Sequence, residues 1–456
     1  MQLLVRSDDP GAIGVVDQRV ARISDRCEQE FRMQDSDAAR MTVMKLITGD
    51  YWQEGDGKEA LESATPQAWY AEKQRTASWE DLPHDITVTR RLLDALEVVK
   101  HPDLPQTVGE PPTMMVTDLR QRRLDQMGGH YDAIPLTLDG PLHRKWRQAL
   151  EPMFTTRRLA AFEPLIRQRA REMVEALPDG EVDIYAEWCE PLPAEIFLRL
   201  MGISRDRLEE FLAFKNTILP REFGFVPNIE QMHAAFDSCE ALFRSEIEHR
   251  AASGHVGDDL LGLLIEVEID GRRINQDELL GLLNVLMIAG LDTVGATLAC
   301  ILAYFAQHPE ARRQVIENPS LYPTAIEELL RWETPVAIQT GTAVRDVELS
   351  SGRTIPAGTT VVVDLHAVNL DPEVFPDPLT VILDRTPNRH LAFAGGFHRC
   401  LGSHLARLEL RAALEEFHNC RPDYRIPDGR ELHYGGQVRA PRPLPLVFGT
   451  TLADSK

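Results

Sequence analysis

Cysteine is scarce and scattered in this chain. The six cysteines, Cys27, Cys189, Cys239, Cys300, Cys400 and Cys420, form no Cys-x-x-Cys pair. That argues against a disulfide scaffold or an iron–sulfur cluster of the chain's own, and it fits a reducing compartment. Positive charge is also short: 49 Lys and Arg stand against 71 Asp and Glu, a net charge of −22. The balance argues against general nucleic-acid binding and against adhesion to anionic membranes, though not against a local basic patch. The N-terminus offers an apolar run of only three residues, Leu3-Leu4-Val5, too short for a signal peptide or an anchor. A cytoplasmic protein without a membrane span is therefore expected. No Gly-x-Gly-x-x-Gly motif of the flavin type and no internal repeat is found.

What is present is a chain of 456 residues, 43% hydrophobic, ordinary for a globular protein with a large core. One stretch stands out: Phe393-Ala394-Gly395-Gly396-Phe397-His398-Arg399-Cys400-Leu401-Gly402. A helical pattern follows at once, which places Cys400 where a helix begins. Unpaired N–H groups and the helix dipole favour negative charge there, so the thiol is expected to titrate as a thiolate, a metal ligand and a nucleophile. Glycines let backbone approach something flat and large, and Phe393 could shield the sulfur from water. On spacing alone three readings stand: a buried structural cysteine, a nucleophile paired with a distant histidine, and an axial thiolate on haem iron.

In chain order, residues 1–85 are the least informative, with helical patterns at 16–32 and 38–47. Ile86-Thr87-Val88-Thr89 reads as a strand and residues 90–100 as an amphipathic helix stopped by His101-Pro102. Residues 102–137 are irregular. Asp139 is a plausible N-cap, with Pro141 in the first turn of a helix that carries His143 and Arg147 on one face. Residues 156–268 look mostly helical, broken at Pro178-Asp179-Gly180, Gly202, Pro220 and Gly254. The stretch 218–227 between two of these helices is apolar and turn-like. Asn275-Gln276-Asp277-Glu278 is a capping box that opens one long apolar helix over 279–308, expected at the centre of the core. Its interior holds Ala289-Gly290-Leu291-Asp292-Thr293. A carboxylate there must be paired, and Thr293 can return a hydrogen bond to the Ala289 carbonyl. Glu328 and Arg331, three apart on a later helix, can form a bidentate pair. Thr334-Pro335 ends that helix, and strands are expected at 336–344, 347–349 and 359–365.

The pattern Phe-x-x-Gly-x-His-x-Cys-x-Gly, filled by Phe393, Gly396, His398, Cys400 and Gly402, resembles the cysteine-loop signature of the cytochrome P450 haem-thiolate monooxygenases. His143 with Arg147, Ala289 to Thr293, and Glu328 with Arg331 resemble further family motifs in the family's order, so the resemblance covers about residues 86–450. It implies a mainly α fold with small peripheral β-sheets, haem b lying between the Asp292 helix and the Cys400 helix. Cys400 would be the iron ligand, with Ala289, Gly290, Phe393, Gly396, His398 and Gly402 around the haem. His143 and Arg147 would hold a propionate. Asp292 and Thr293 would relay protons to dioxygen, while Glu328 and Arg331 brace the core. Residues 1–85 would be a divergent segment packed on the same single domain as 86–456.

The resemblance also implies partners. Electrons would come from a ferredoxin and its reductase, so NAD(P)H serves only indirectly. A basic patch of Arg144, Lys145, Arg399, Arg407 and Arg411 would dock that partner. The substrate would be small or medium-sized and hydrophobic, undergoing hydroxylation, epoxidation or oxidative demethylation, and the protein a monomer. Two departures stand out: Gly341 where relatives often carry a propionate-binding Arg, and no Arg or His near Thr380 to complete the Glu328 network. Arg345 or Arg385 is the candidate substitute for the propionate. Alternatives are a peroxide-driven peroxygenase, a non-catalytic haem-thiolate fold that recruits a partner enzyme, and, remotely, a cysteine hydrolase.

Overall fold

The computed structural model describes residues 65–105, 133–219, 229–254, 256–436 and 438–448. The helices read at 16–32 and 38–47 lie outside the described residues, as does most of 102–137 and 218–227. Helix α1 (Gln67–Thr76) and strand β1 (Trp79–Leu82) come before β2 (Ile86–Thr89), and β1 pairs antiparallel with β2. Helix α2 (Leu92–Val98) is shorter than its apolar spacing predicts, and its first N–H donates to Asp371 at 2.8 Å. Then come α3 (Gly140–Leu150), α4 (Glu163–Glu175), β3 (Gly180–Asp183), α5 (Pro191–Leu200), α6 (Leu208–Ile218) and α7 (Ile229–Ser253).

The long apolar helix is split. α8 (Gln276–Leu291) opens on the expected box: the Asn275 side chain accepts from the Glu278 N–H at 2.9 Å and the Glu278 carboxylate accepts from the Asn275 N–H at 2.8 Å. The helix breaks at Asp292 and resumes as α9 (Thr293–Gln307). α8 packs among α3, α5, α6 and α7 through Leu282, Leu283, Met287 and Leu291. α9 belongs to a second core with α4 and two later helices, through Ala296, Ala299, Ile301 and Leu302. The break thus falls where one core gives way to the other. Gly295 lets α9 close on residues 185–189, since a Cβ there would lie 2.5 Å from the Cys189 carbonyl oxygen. Gln276–Gln307 is long and apolar enough to cross a membrane by length and composition, but 67% of its most apolar window is buried in the protein.

The later elements are α10 (Tyr322–Glu333), β4 (Ile338–Thr342), β5 (Thr360–Asp364), α11 (Ser403–Cys420), β6 (Tyr424–Arg425) and β7 (Pro445–Phe448). α10 ends as expected at Thr334, which takes a left-handed φ of 42°. One sheet runs β1-β2-β5-β4, with Ile86 to Thr89 parallel to Thr360 to Val363 and β4 antiparallel to β5; a second runs β6-β7-β3. The first packs on α2 through Val361, Val363, Ala95 and Val98. The result is a mainly helical fold with small sheets, arranged so that the broken helix and the start of α11 share their packing. Leu401 sits against the same cluster as Met287, Ile288 and Leu291.

Candidate active site

The cysteine loop is a turn built on two left-handed residues, Ala394 (φ 56°) and Gly396 (φ 63°). The Ala394 N–H donates to Leu391 at 2.8 Å and the Cys400 N–H to Phe393 at 2.9 Å. Gly396 needs to be glycine for a reason the sequence reading missed: a Cβ there would overlap the Val99 carbonyl at the end of α2. Gly402 differs, for a Cβ there would meet only the Cys400 sulfur, 4.0 Å away. Gln339 of β4 clamps the loop with two bonds to Gly395, Nε2 to the carbonyl at 3.1 Å and the N–H to Oε1 at 3.0 Å. A Gln in a short strand carries no signal that it reaches 56 residues along the chain. The Arg407 guanidinium lies over the Phe393 ring, 4.3 Å from its centre.

α11 begins at Ser403, so Cys400 precedes the helix rather than opening it. Cys400 has an exposed surface, yet enough protein surrounds its sulfur that burial pushes the thiol above its ordinary value. The Gly402 N–H and the charges of Arg147, Arg407 and Arg399 pull the other way without prevailing. The expected thiolate at a helix start meets a different geometry: the helix begins three residues further on, and burial disfavours the charged form of the sulfur.

α3 brings His143, Arg147 and His398 together. The rings of His143 and His398 stack with centres 4.2 Å apart. Asp139 stands at the N-cap position, but its carboxylate does not cap the helix; it accepts from His398 Nε2 at 2.9 Å. Burial, then the charges of His398 and Arg147, drives His143 down to about 4, so it is a neutral hydrogen-bonding group at pH 7. Arg147 supplies the fixed charge and donates to the Arg399 carbonyl at 2.9 Å, just ahead of Cys400.

Asp292 is buried, and three side chains far apart in sequence converge on it. Arg442 Nη2 reaches both its oxygens at 3.0 Å, Lys215 Nζ lies 3.3 Å from Oδ1, and the Tyr185 hydroxyl 3.4 Å from Oδ1. Lys215, itself fully buried, also pairs with Glu190. None of these partners was read from the sequence; the one available signal was a lysine amid Phe211, Leu212 and Phe214. The Thr293 hydroxyl donates to the Ala289 carbonyl at 2.8 Å, as expected. Ala289 is exposed and Gly290 and Thr293 half-buried, on a helix otherwise mostly buried.

Glu328 and Arg331 are both wholly buried and form the bidentate pair at 2.8 Å. Arg385 completes the network: its Nε lies 3.0 Å from both Glu328 oxygens and it donates onward to the carbonyls of Pro376 and Thr380. The missing base near Thr380 is thus found five residues on, and Arg385 is not available as a propionate substitute. Arg345 is an exposed side chain that pairs with Asp103 at 2.6 Å. Gly341 has its own cause: a Cβ there would come within 3.1 Å of the Leu104 carbonyl and 3.3 Å of that of Pro105.

Among the described residues, no group of three or more His, Cys, Asp or Glu could hold a metal ion. A lone accessible sulfur suits a metal whose other donors come from a macrocycle, and Arg147 beside it suits an anionic rim. The cytochrome P450 family model matches residues 216–417. The mycinamicin IV hydroxylase/epoxidase of Micromonospora griseorubida is 33% identical over 69% of this chain and 79% of its own. The methyl-branched lipid omega-hydroxylase of Mycobacterium tuberculosis is 31% identical over 72% of this chain and 76% of its own.

The chain belongs to the cytochrome P450 family.

It is accordingly a cytochrome P450 monooxygenase, an oxidoreductase of a haem-dependent family. A myxobacterial cytochrome P450 solved in complex with myristic acid superimposes with a TM-score of 0.75 at 27% identity, covering 85% of this chain and 97% of its own. In this P450 the five-residue basic patch is smaller than expected. Lys145 pairs with Asp270 at 2.7 Å, Arg407 with Glu327 at 2.6 Å and Arg411 with Glu163 at 3.0 Å. Arg144 and Arg399 are exposed and form no ion pair among the described residues, as are Arg157 and Arg158 just after α3.

Proposed function

We propose that Cys400 is the thiolate ligand of haem b in this monooxygenase, and that the cleft between the broken helix and the cysteine loop oxidises a small or medium-sized apolar substrate. The observation that carries this is the exposed residue Cys400 in a loop pinned by the Phe393 carbonyl, Gln339 and Arg147, next to a core helix that exposes Ala289. The haem, when bound, supplies activation of dioxygen for insertion of one oxygen atom. The chain does the rest. Arg147 holds a propionate and His143 and His398 help as hydrogen-bonding groups, which would leave this anchoring to the α3 side because Gly341 offers none. Gly290 and Gly396 would leave room for the porphyrin, and Phe393 would shield the sulfur.

Asp292 and Thr293 hold and pass protons. Asp292 is boxed by two cations, so it must release one of them to take up a proton, while Thr293 keeps its hydroxyl near the Ala289 carbonyl. Electrons would arrive from a ferredoxin and its reductase, with NAD(P)H one step removed, docking on Arg144, Arg399, Arg157 and Arg158. The named relatives hydroxylate or epoxidise, which favours those outcomes here. We further infer a cytoplasmic monomer in which residues 1–85 and 86–456 form one domain. The test is direct. Reduced protein treated with carbon monoxide is expected to show the red-shifted absorption of sulfur-ligated haem, and Cys400→Ser to lose both that band and oxidation. Full oxidation by the serine variant would refute the assignment.

A further inference from the structure

Three side chains distant in sequence meet beside Phe393 on the cysteine side. Arg407 of α11 is at their centre. Glu327 of α10 takes one edge of its guanidinium, accepting from Nε at 2.6 Å and from Nη2 at 2.7 Å. Nη1 donates to the Ser403 carbonyl at 3.3 Å. His390 holds the other side of Glu327. Its Nδ1 accepts from the Ala392 N–H at 3.2 Å, which leaves Nε2, 3.1 Å from Glu327 Oε2, to donate. Burial would raise the Glu327 carboxyl, but the bonds from His390 and Arg407 overcome it and hold it at about 2, so it is an anion at pH 7. Arg407 is thereby fixed with its Cζ over the Phe393 ring. That ring belongs to the cysteine loop itself, since the Phe393 carbonyl accepts from the Cys400 N–H at 2.9 Å. The charge of Arg407 is felt at the Cys400 sulfur, together with those of Arg147 and Arg399. Arg399 stands exposed, where water and salt screen it, and Arg147 is the one assigned to an anionic rim. Arg407 is the cation held in place with an apolar ring, not water, against its face.

We propose that Arg407, positioned by Glu327 and His390, raises the reduction potential of the haem iron, a role that rests on Cys400 being the iron's ligand. Reduction takes the iron from ferric to ferrous by one electron from the external donor, and so adds one negative charge beside the loop. A fixed cation stabilises that added charge, and a fixed anion opposes it. The two partners therefore act with opposite signs. Arg407 is the member that lies over the ring, and Glu327 both holds it there and offsets part of its charge. His390 reaches the loop only through Glu327, so it acts by position.

The experiment is spectroelectrochemical titration of the haem-loaded full chain without substrate, ferric and ferrous forms being read from the haem absorption at each applied potential. Arg407→Gln is expected to shift the one-electron equilibrium about five-fold toward the ferric form, a potential about 40 mV lower. Glu327→Gln, which removes the anion, is expected to raise the potential. The double variant, which removes both charges, is expected to lie between the two single variants. Arg407→Lys keeps the charge and is expected to recover most of the shift. Mere damage to the loop would move both single variants the same way and the double variant further still. That pattern, or one potential shared by wild type and all variants, overturns the role. A melting midpoint close to that of wild type would show that each variant is folded; should Arg407→Gln fail that check, Arg407→Met replaces it. Failure of the haem-thiolate reading would show separately, as absence of the red-shifted carbon monoxide band in the wild type, a measurement the titration does not use.

Discussion

At the scale of single residues, two buried acids are handled in opposite ways. Asp292 is buried with its charge answered by Arg442 and Lys215, which is how a mid-core carboxylate stays tolerable. If Asp292 relays protons as proposed, Asp292→Asn is expected to slow substrate oxidation by about 100-fold while the substrate-induced spectral shift persists. Glu409 on α11 is also buried, but no partner answers it among the described residues, and burial alone pushes its carboxyl up from 4.5 to about 8. A carboxyl raised in the fold stabilises fully below its unfolded value and loses that contribution as pH rises through the folded one. The melting midpoint is therefore expected to fall between about pH 4.5 and 8 by an amount that Glu409→Gln removes, measured as midpoint against pH for the two proteins. An identical slope in both would show that Glu409 is not the group responsible.

Between elements, the cysteine loop is held by contacts that no local pattern announces. Gly396 lets the loop lie on the end of α2, so Gly396→Ala is expected to displace the loop and lower haem content in the purified protein, read as haem absorbance per chain. Glu328 sits between Arg331 and Arg385, both buried. Glu328→Gln leaves those guanidinium groups short of a charge and is expected to cost about 3–5 kcal/mol in denaturant unfolding. Gly341→Arg, which would place there the propionate-binding residue that the resemblance implies, is expected to destabilise the protein because the carbonyls of Leu104 and Pro105 crowd that position. Recovery of a tighter haem grip without loss of stability would contradict this reading of the strand.

Over the whole molecule, a net charge of −22 would oppose the proposed ferredoxin if that partner is acidic, and its docking would then rely on a local field. Arg144 and Arg399 lie on the cysteine side beside exposed Leu142 and Phe397. Replacing both arginines by alanine is expected to weaken ferredoxin binding and flatten its dependence on ionic strength, with the haem spectrum unchanged. The family, the mainly helical fold, the cysteine loop, the capping box at Asn275 and the Glu328–Arg331 pair were all readable from the chain. Each depends on spacing along one element, a glycine turn or residues three or four apart, and that spacing is written in order. The tertiary structure alone decided which cations meet Asp292, why position 341 is glycine, that Arg385 serves Glu328, and that burial raises the Cys400 thiol. Those outcomes turn on desolvation and on charges brought together from segments as distant as residues 185, 215 and 442, and neither quantity has a period in sequence.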